Sequence, residues 1–135
     1  MNPPALLVVT LALGVIAGAK PPPAWIQTST GRHRLAYSSF CWKSKRVAVC
    51  ADAGAPRCGD GHTPTIRVRR GELVRFELGF LPKSVSVDFG TGRSEGLASS
   101  RSPHWRVDRA GALTLFADAG VRGDASYTAC IVFRS

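Results

Sequence analysis

Period-two alternation of apolar and polar positions runs through most of the chain. Ile66 and Val68 alternate with Arg67 and Arg69, Val74, Phe76 and Leu78 with Arg75 and Glu77, and Val85, Val87 and Phe89 with Ser84, Ser86 and Asp88. A half-buried antiparallel strand gives this pattern, with one face toward a core and one toward water. Trp105 and Val107, then Leu113 and Leu115, then Tyr127, Ala129, Ile131 and Phe133 continue it. Arg70-Gly71-Glu72, Leu81-Pro82-Lys83 and Arg109-Ala110-Gly111 supply turns between the runs. No window carries a long apolar face at helical spacing. Seven or eight short strands about ten residues apart predict an all-β chain, a two-sheet antiparallel β-sandwich of immunoglobulin-like or cupredoxin-like build.

The N-terminal third reads differently. Ala5 to Ile16 is an apolar run closed by Ala17-Gly18-Ala19, which matches a small-x-small cleavage site and predicts a signal peptide over residues 1–19. The run is shorter than the roughly 20 apolar residues a membrane span needs. No Cys follows it to carry a lipid, so the expected product is free after cleavage, without a stable transmembrane span, and secreted or in the cell envelope. Pro21 to Pro23 and the polar stretch from Trp25 to Arg34 read as an N-terminal arm or linker, residues 20–34. The first strand is then expected near Leu35, with the sandwich domain over residues 35–135. Ala51 to Pro64 and Gly90 to Pro103 are the longest irregular stretches and the candidate binding loops.

Cys41, Cys50, Cys58 and Cys130 form an even set, which in an exported chain reads as two disulfides. Three pairings are possible. A hairpin turning at Lys43-Ser44-Lys45 would bring Cys41 to Cys50 and leave Cys58 for Cys130 by elimination. That second bridge would close a long loop, worth on the order of 4 kcal/mol by chain entropy. A metal site on Cys50, Cys58 and His62 lacks the close Cys-x2-Cys knuckle of zinc ribbons and fingers.

Two resemblances bear on the fold. Thr65 to Phe76, with Gly71-Glu72 at its turn, resembles the strand-turn-strand segment common to cupredoxins and bacterial immunoglobulin-like modules, and predicts a hairpin. Ser38-Ser39-Phe40-Cys41-Trp42, Val49-Cys50-Ala51-Asp52 and the closing Gly123-Asp124-Ala125-Ser126-Tyr127 are together similar to a (G)SYCW…C-x-D signature of small exported bacterial proteins. That likeness implies an exported β-sandwich with Cys41 paired to Cys50, and it implies no activity. Phe40 departs from the usual Tyr, and Cys58 with Cys130 look like an added pair.

Known catalytic constellations are missing from the sequence. A blue-copper site needs a His soon after its Cys and a weak axial ligand. No His follows Cys130 and the only Met is the first residue. A cupredoxin-like fold would therefore lack the copper site, and no cofactor is expected. His33, His62 and His104 lie in separate segments without a close-spaced ligand pair, so no metal site is assigned. Neither G-x-S-x-G, S-x-x-K nor H-E-x-x-H occurs. Gly90 to Gly96 misses the dinucleotide-binding spacing and reads as a turn. Arg122-Gly123-Asp124 spells an integrin-binding tripeptide, but a strand entry with its obligatory Gly accounts for it.

Charge adds the one global functional cue. Eighteen Lys+Arg face nine Asp+Glu, a formal net charge of +9, with no charged side chain in the first 19 residues. Arg67, Arg69 and Arg75 alternate along the expected hairpin and form the candidate patch for an anionic partner. Against this, 14 Arg to 4 Lys reads as compositional bias, and outward strand positions are polar in any sandwich. Trp42 is expected against the Cys41 disulfide, Trp105 in the core and Trp25 in the arm. Without exposed aromatics among the basic positions, no specific nucleic-acid site is expected. The favoured reading is a non-enzymatic binding or accessory module whose basic surface meets anionic envelope polymers or surfaces. The alternatives are a metal-handling or hydrolytic domain using Asp60, His62 and His104, and an inhibitor or protein-interaction module with an apolar patch at Gly79-Phe80-Leu81-Pro82.

Overall fold

Alternation decides the architecture, and it does so over more of the chain than the sequence pattern marks. The computed structural model describes residues 20–90 and 92–135, so the expected signal peptide over residues 1–19 lies outside them. Eleven strands form among the described residues: β1 Trp25–Thr28, β2 Gly31–Arg34, β3 Ala36–Ser44, β4 Val47–Ala51, β5 Thr65–Val68, β6 Leu73–Glu77, β7 Ser84–Asp88, β8 Ser94–Leu97, β9 His104–Arg106, β10 Gly111–Asp118 and β11 Gly123–Phe133. A single 3-10 turn, Gly120–Arg122, is the nearest thing to a helix. Sheet A has the order β2-β1-β6-β9, and sheet B the order β4-β3-β11-β10-β7-β8. All pairs are antiparallel except β5, which lies parallel to the last four residues of β11. The two-sheet β-sandwich is the expected fold class.

Three expectations are corrected. Residues 25–34 are not a linker: β1 and β2 form a hairpin there and β1 pairs with β6, so strand structure begins at Trp25. Thr65 to Phe76 is not a hairpin. Its first half is β5 in sheet B and its second half β6 in sheet A, so Arg70-Gly71-Glu72 carries the chain from one sheet to the other. Gly90 to Pro103 is not wholly irregular, since β8 forms the edge of sheet B with a polar sequence, SEGL, that no alternation announces.

The core lies between the sheets. Sheet A contributes Ile26, Val74, Phe76 and Trp105, and sheet B contributes Ile66, Val68, Val85, Val87, Leu113, Leu115, Tyr127 and Ile131, all buried. Trp105 stacks on Phe76 at 6.3 Å between ring centroids and meets Phe89 at 5.7 Å. Its indole Nε1 finds no acceptor, a cost of about 1–3 kcal/mol that the ring's apolar burial offsets. Trp42 packs on Phe80 at 5.1 Å rather than on the disulfide, because the neighbouring Cys41 points to the opposite face of β3.

The N-terminal segment is part of this packing. Tyr37 and Tyr127 donate hydrogen bonds from their hydroxyls to the carbonyls of Pro21 and Pro22, each at 2.7 Å. Gly79 lets Pro22 approach, since a Cβ there would stand 2.5 Å from the proline ring. Burial, with Tyr37 adding to it, pushes the Tyr127 hydroxyl well above the ordinary tyrosine range.

Both disulfides form as the hairpin argument has them. Cys41 faces Cys50 directly across β3 and β4, and Cys58 reaches Cys130 on β11. The second bridge fastens loop 52–64 over the outer face of β11. Ser126, Thr128 and Cys130 point outward from that strand and are nonetheless buried. Two bridges in one small domain suit an oxidising, extracytoplasmic compartment.

Candidate anion-binding face

The outer face of sheet A is assembled by register. Ile26, Val74, Phe76 and Trp105 point inward, so their strand neighbours must point out. Cross-strand pairing then sets Arg34 beside Trp25 and Trp25 beside Glu77, while Arg32, Gln27, Arg75 and His104 form the next row. Leu73 and Arg106 form a third. Four arginines therefore share one surface with a single glutamate and an aromatic ring.

The contacts explain how so much like charge is held together. Arg32 lies over Trp25 with its guanidinium carbon 3.9 Å from the ring centroid, and Arg34 approaches the same ring at 5.8 Å. The ring face attracts cations, worth about 0.5–1 kcal/mol for an exposed pair. Glu77 sits between two arginines, 2.9 Å from Arg32 Nε and 3.5 Å from Arg75 Nη2. Arg106 donates to the Gly71 carbonyl at 2.7 Å. Arg34 and Arg106 have no carboxylate partner among the described residues. Leu73, half exposed, adds an apolar spot beside Arg106.

The three arginines singled out from the sequence do not form one stripe. Arg75 belongs to this face. Arg67 is on β5, exposed on the outer face of sheet B, pointing away from it. Arg69 lies at the corner between the sheets, where its amide donates to Glu72. The stripe fails because the segment crosses between sheets instead of turning back in one. Arg32, Arg34 and Trp25 were missed because they fall in a stretch read as a linker, and Arg106 because only its inward-facing neighbours Trp105 and Val107 stand out in the alternation.

The loop residues of the metal or hydrolytic alternative have other duties. Asp60 accepts from the Arg57, His62 and Thr63 amides and from the Thr63 hydroxyl, at 2.7–3.2 Å. The Thr63 and His62 amides, against a smaller opposing effect of burial, hold its carboxyl well below the usual carboxylate range. It is the staple of loop 52–64. His62 donates from Nε2 to the Tyr37 carbonyl at 3.2 Å. His33, on β2, meets the hydroxyls of Thr28 on β1 and of Thr30 in the turn, and His104 is on β9, at the opposite edge of sheet A. Among the described residues no group of three or more His, Cys, Asp or Glu side chains is placed to hold a metal.

The other candidates also resolve. At Gly79-Phe80-Leu81-Pro82 the rings of Phe80 and Pro82 are buried and Leu81 is the one exposed apolar side chain, at 62%. In Arg122-Gly123-Asp124 the glycine has φ 114°, and a Cβ would collide with the Cys41 carbonyl. A cleft of about 260 Å³ lies between loop residues 53–56 and the outer face of sheet B, lined with the hydroxyls of Ser38, Ser39, Thr114 and Ser126. A β-bulge opens it: Ser38 and Ser39 together oppose Ser126 between β3 and β11.

No family model, no curated protein and no solved structure matches this chain. No helix among the described residues is long and apolar enough to cross a membrane.

Proposed function

We propose that the chain is a non-enzymatic exported binding module that meets anionic polymers of the cell envelope or its surroundings through the outer face of sheet A. The observation that carries this reading is the grouping of Arg32, Arg34, Arg75 and Arg106 around Trp25 with one carboxylate among them. A strand pitch of roughly 4.8 Å puts Arg32 and Arg75, two strands apart, about 10 Å from each other. Such spacing suits a chain of repeated phosphate, sulfate or carboxylate groups rather than one small anion. Guanidinium forks bind those groups through paired, charge-assisted hydrogen bonds. Release of the polymer's counterions makes the affinity fall with salt.

The test is retention of the oxidised chain on anionic and neutral polysaccharide matrices over a salt series. Removing Arg34 and Arg75 together should lower the salt needed for elution and make log affinity fall less steeply with log salt, as fewer counterions are released. Arg67→Gln, which removes the same charge from the other face, should leave both nearly unchanged. Equal effects from the two faces would contradict the proposal.

A further inference from the structure

At the end of the sandwich, where the chain crosses from β5 to β6, a cleft of about 440 Å³ is lined by Ser29, Arg69, Arg70, Gly71, Glu72 and Arg134. Three guanidinium-bearing residues thus meet in one concavity, and none has an ion-pair partner within 4.0 Å among the described residues. Arg134 is held by its neighbours. Its amide donates to the Val68 carbonyl at 2.9 Å and its Nη2 to Ser29 Oγ at 2.7 Å, while its Nε is buried without an acceptor. Arg70 is steadied over the Phe133 ring at 5.7 Å.

Glu72 does not neutralise the cleft by pairing. One of its oxygens accepts from the Ser29 amide at 2.8 Å and the other from the Arg69 amide at 3.0 Å, tying the β1–β2 turn to the end of β5. Partial burial pushes its carboxyl up, but those amides, the Ser29 hydroxyl and the charge of Arg134 outweigh it and hold the group below its ordinary value. It is charged at neutral pH. The residues lining the cleft carry three guanidinium groups and one carboxylate, a formal excess of two positive charges.

We infer that this cleft is a discrete site for a doubly charged oxyanion, a phosphate monoester or free phosphate, rather than for a phosphodiester or a carboxylate. A dianion balances the excess, whereas a phosphodiester or a carboxylate leaves one charge uncompensated. The Arg134 guanidinium, anchored through one Nη2 bond to Ser29 Oγ, has further N–H donors for the oxygens of such an anion. The site lies beyond the sheet A face and stands whether or not a polymer binds there.

The experiment follows the arginine Nε–H signals of the full oxidised chain by NMR at about pH 8, where phosphate monoesters are dianions. Inorganic phosphate, methyl phosphate, dimethyl phosphate and acetate are titrated separately. Phosphate and methyl phosphate should shift the Arg134 signal saturably, and dimethyl phosphate and acetate should bind at least about tenfold more weakly. Tighter binding of methyl phosphate assigns the site to an ester end group, and tighter binding of inorganic phosphate to the free ion. Arg134→Gln and Arg70→Gln should each weaken binding about tenfold, the second guarding against a folding defect in the first. Arg34→Gln should not, although it impairs polymer retention if the sheet A reading holds. An Arg134 signal indifferent to phosphate, or equally sensitive to the monoanions, overturns the inference.

Discussion

The outer face of sheet A carries Arg32, Arg34, Arg75 and Arg106 around Trp25, with Glu77 as its carboxylate, whereas the outer face of sheet B carries Lys43 and Arg67 against Asp88, Asp118 and Asp124. Both faces follow from the same alternation. They differ in what covers them and in charge. Sheet A stays open, and its like charges are accommodated by an aromatic ring and a shared glutamate. Over the middle of sheet B, loop 52–64 is fastened down by Cys58–Cys130 and stapled by Asp60, while Asp118 and Asp124 oppose each other across β10 and β11. A net charge of +9 is therefore not spread evenly. An aggregate charge says that anions are attracted, and only the assignment of strands to sheets says where.

The largest effect should come from uncovering sheet B. Replacing Cys58 and Cys130 together by serine removes a bridge spanning 72 residues and should cost about 4 kcal/mol in urea unfolding, as the unfolded chain regains its freedom. Retention on a polyanion at low denaturant should survive if sheet A is the binding face, as proposed. Loss of both together would show that the two faces are not independent.

Gly123→Ala comes next. The substitution forces a Cβ into the Cys41 carbonyl at a backbone conformation reserved for glycine, and should cost about 1–3 kcal/mol or more by thermal or urea unfolding. Asp124→Asn at the same tripeptide leaves the backbone alone and should cost far less, or even stabilise by relieving the repulsion from Asp118. An unchanged stability in the glycine variant would remove the structural explanation of that motif.

Acid stability sharpens the comparison further, since each side has one depressed carboxylate. Asp60 staples the loop on sheet B and Glu72 ties the corner of sheet A. Both have folded values below the ordinary 3.8 and 4.5, so their contributions are complete above those values and fade as pH falls through and below them. Asp60→Asn and Glu72→Gln should each flatten the acid limb of a stability–pH profile below about pH 4 and change its slope little near pH 7. At the alkaline end, the raised Tyr127 value predicts stability complete below pH 10.0 and declining above it.

How far the sequence carries is set by where its signals are local. Strands β6, β7, β10 and β11 announce themselves through Val74 and Phe76, Val85 and Val87, Leu113 and Leu115, and Tyr127 to Phe133, because one buried face imposes the alternation. The hairpin at Cys41 and Cys50 is equally local. Strands β2 and β8, GRHR and SEGL, are edges with few buried side chains, and nothing in their composition demands a strand. The destination of Thr65 to Phe76 was hidden for another reason. A turn that reverses the chain within one sheet and one that crosses between sheets use the same Gly71, and only the pairing of Ile66 with Ile131 and of Phe76 with Ile26 distinguishes them. That one ambiguity moved Arg67 onto the wrong face of the expected patch. The arginine cleft was beyond reach altogether, since Ser29, Arg70 and Arg134 meet only through tertiary packing.

The proposal that one face, and not total charge, binds a polymer separates the arginines into two groups. It is tested most directly by arginine-selective dicarbonyl labelling with and without a sulfated or phosphorylated polysaccharide, read residue by residue by mass spectrometry. Arg32, Arg34, Arg75 and Arg106 should be protected while Arg67 and Arg122 keep reacting. Uniform protection of all of them, or protection centred on Arg67, would contradict it.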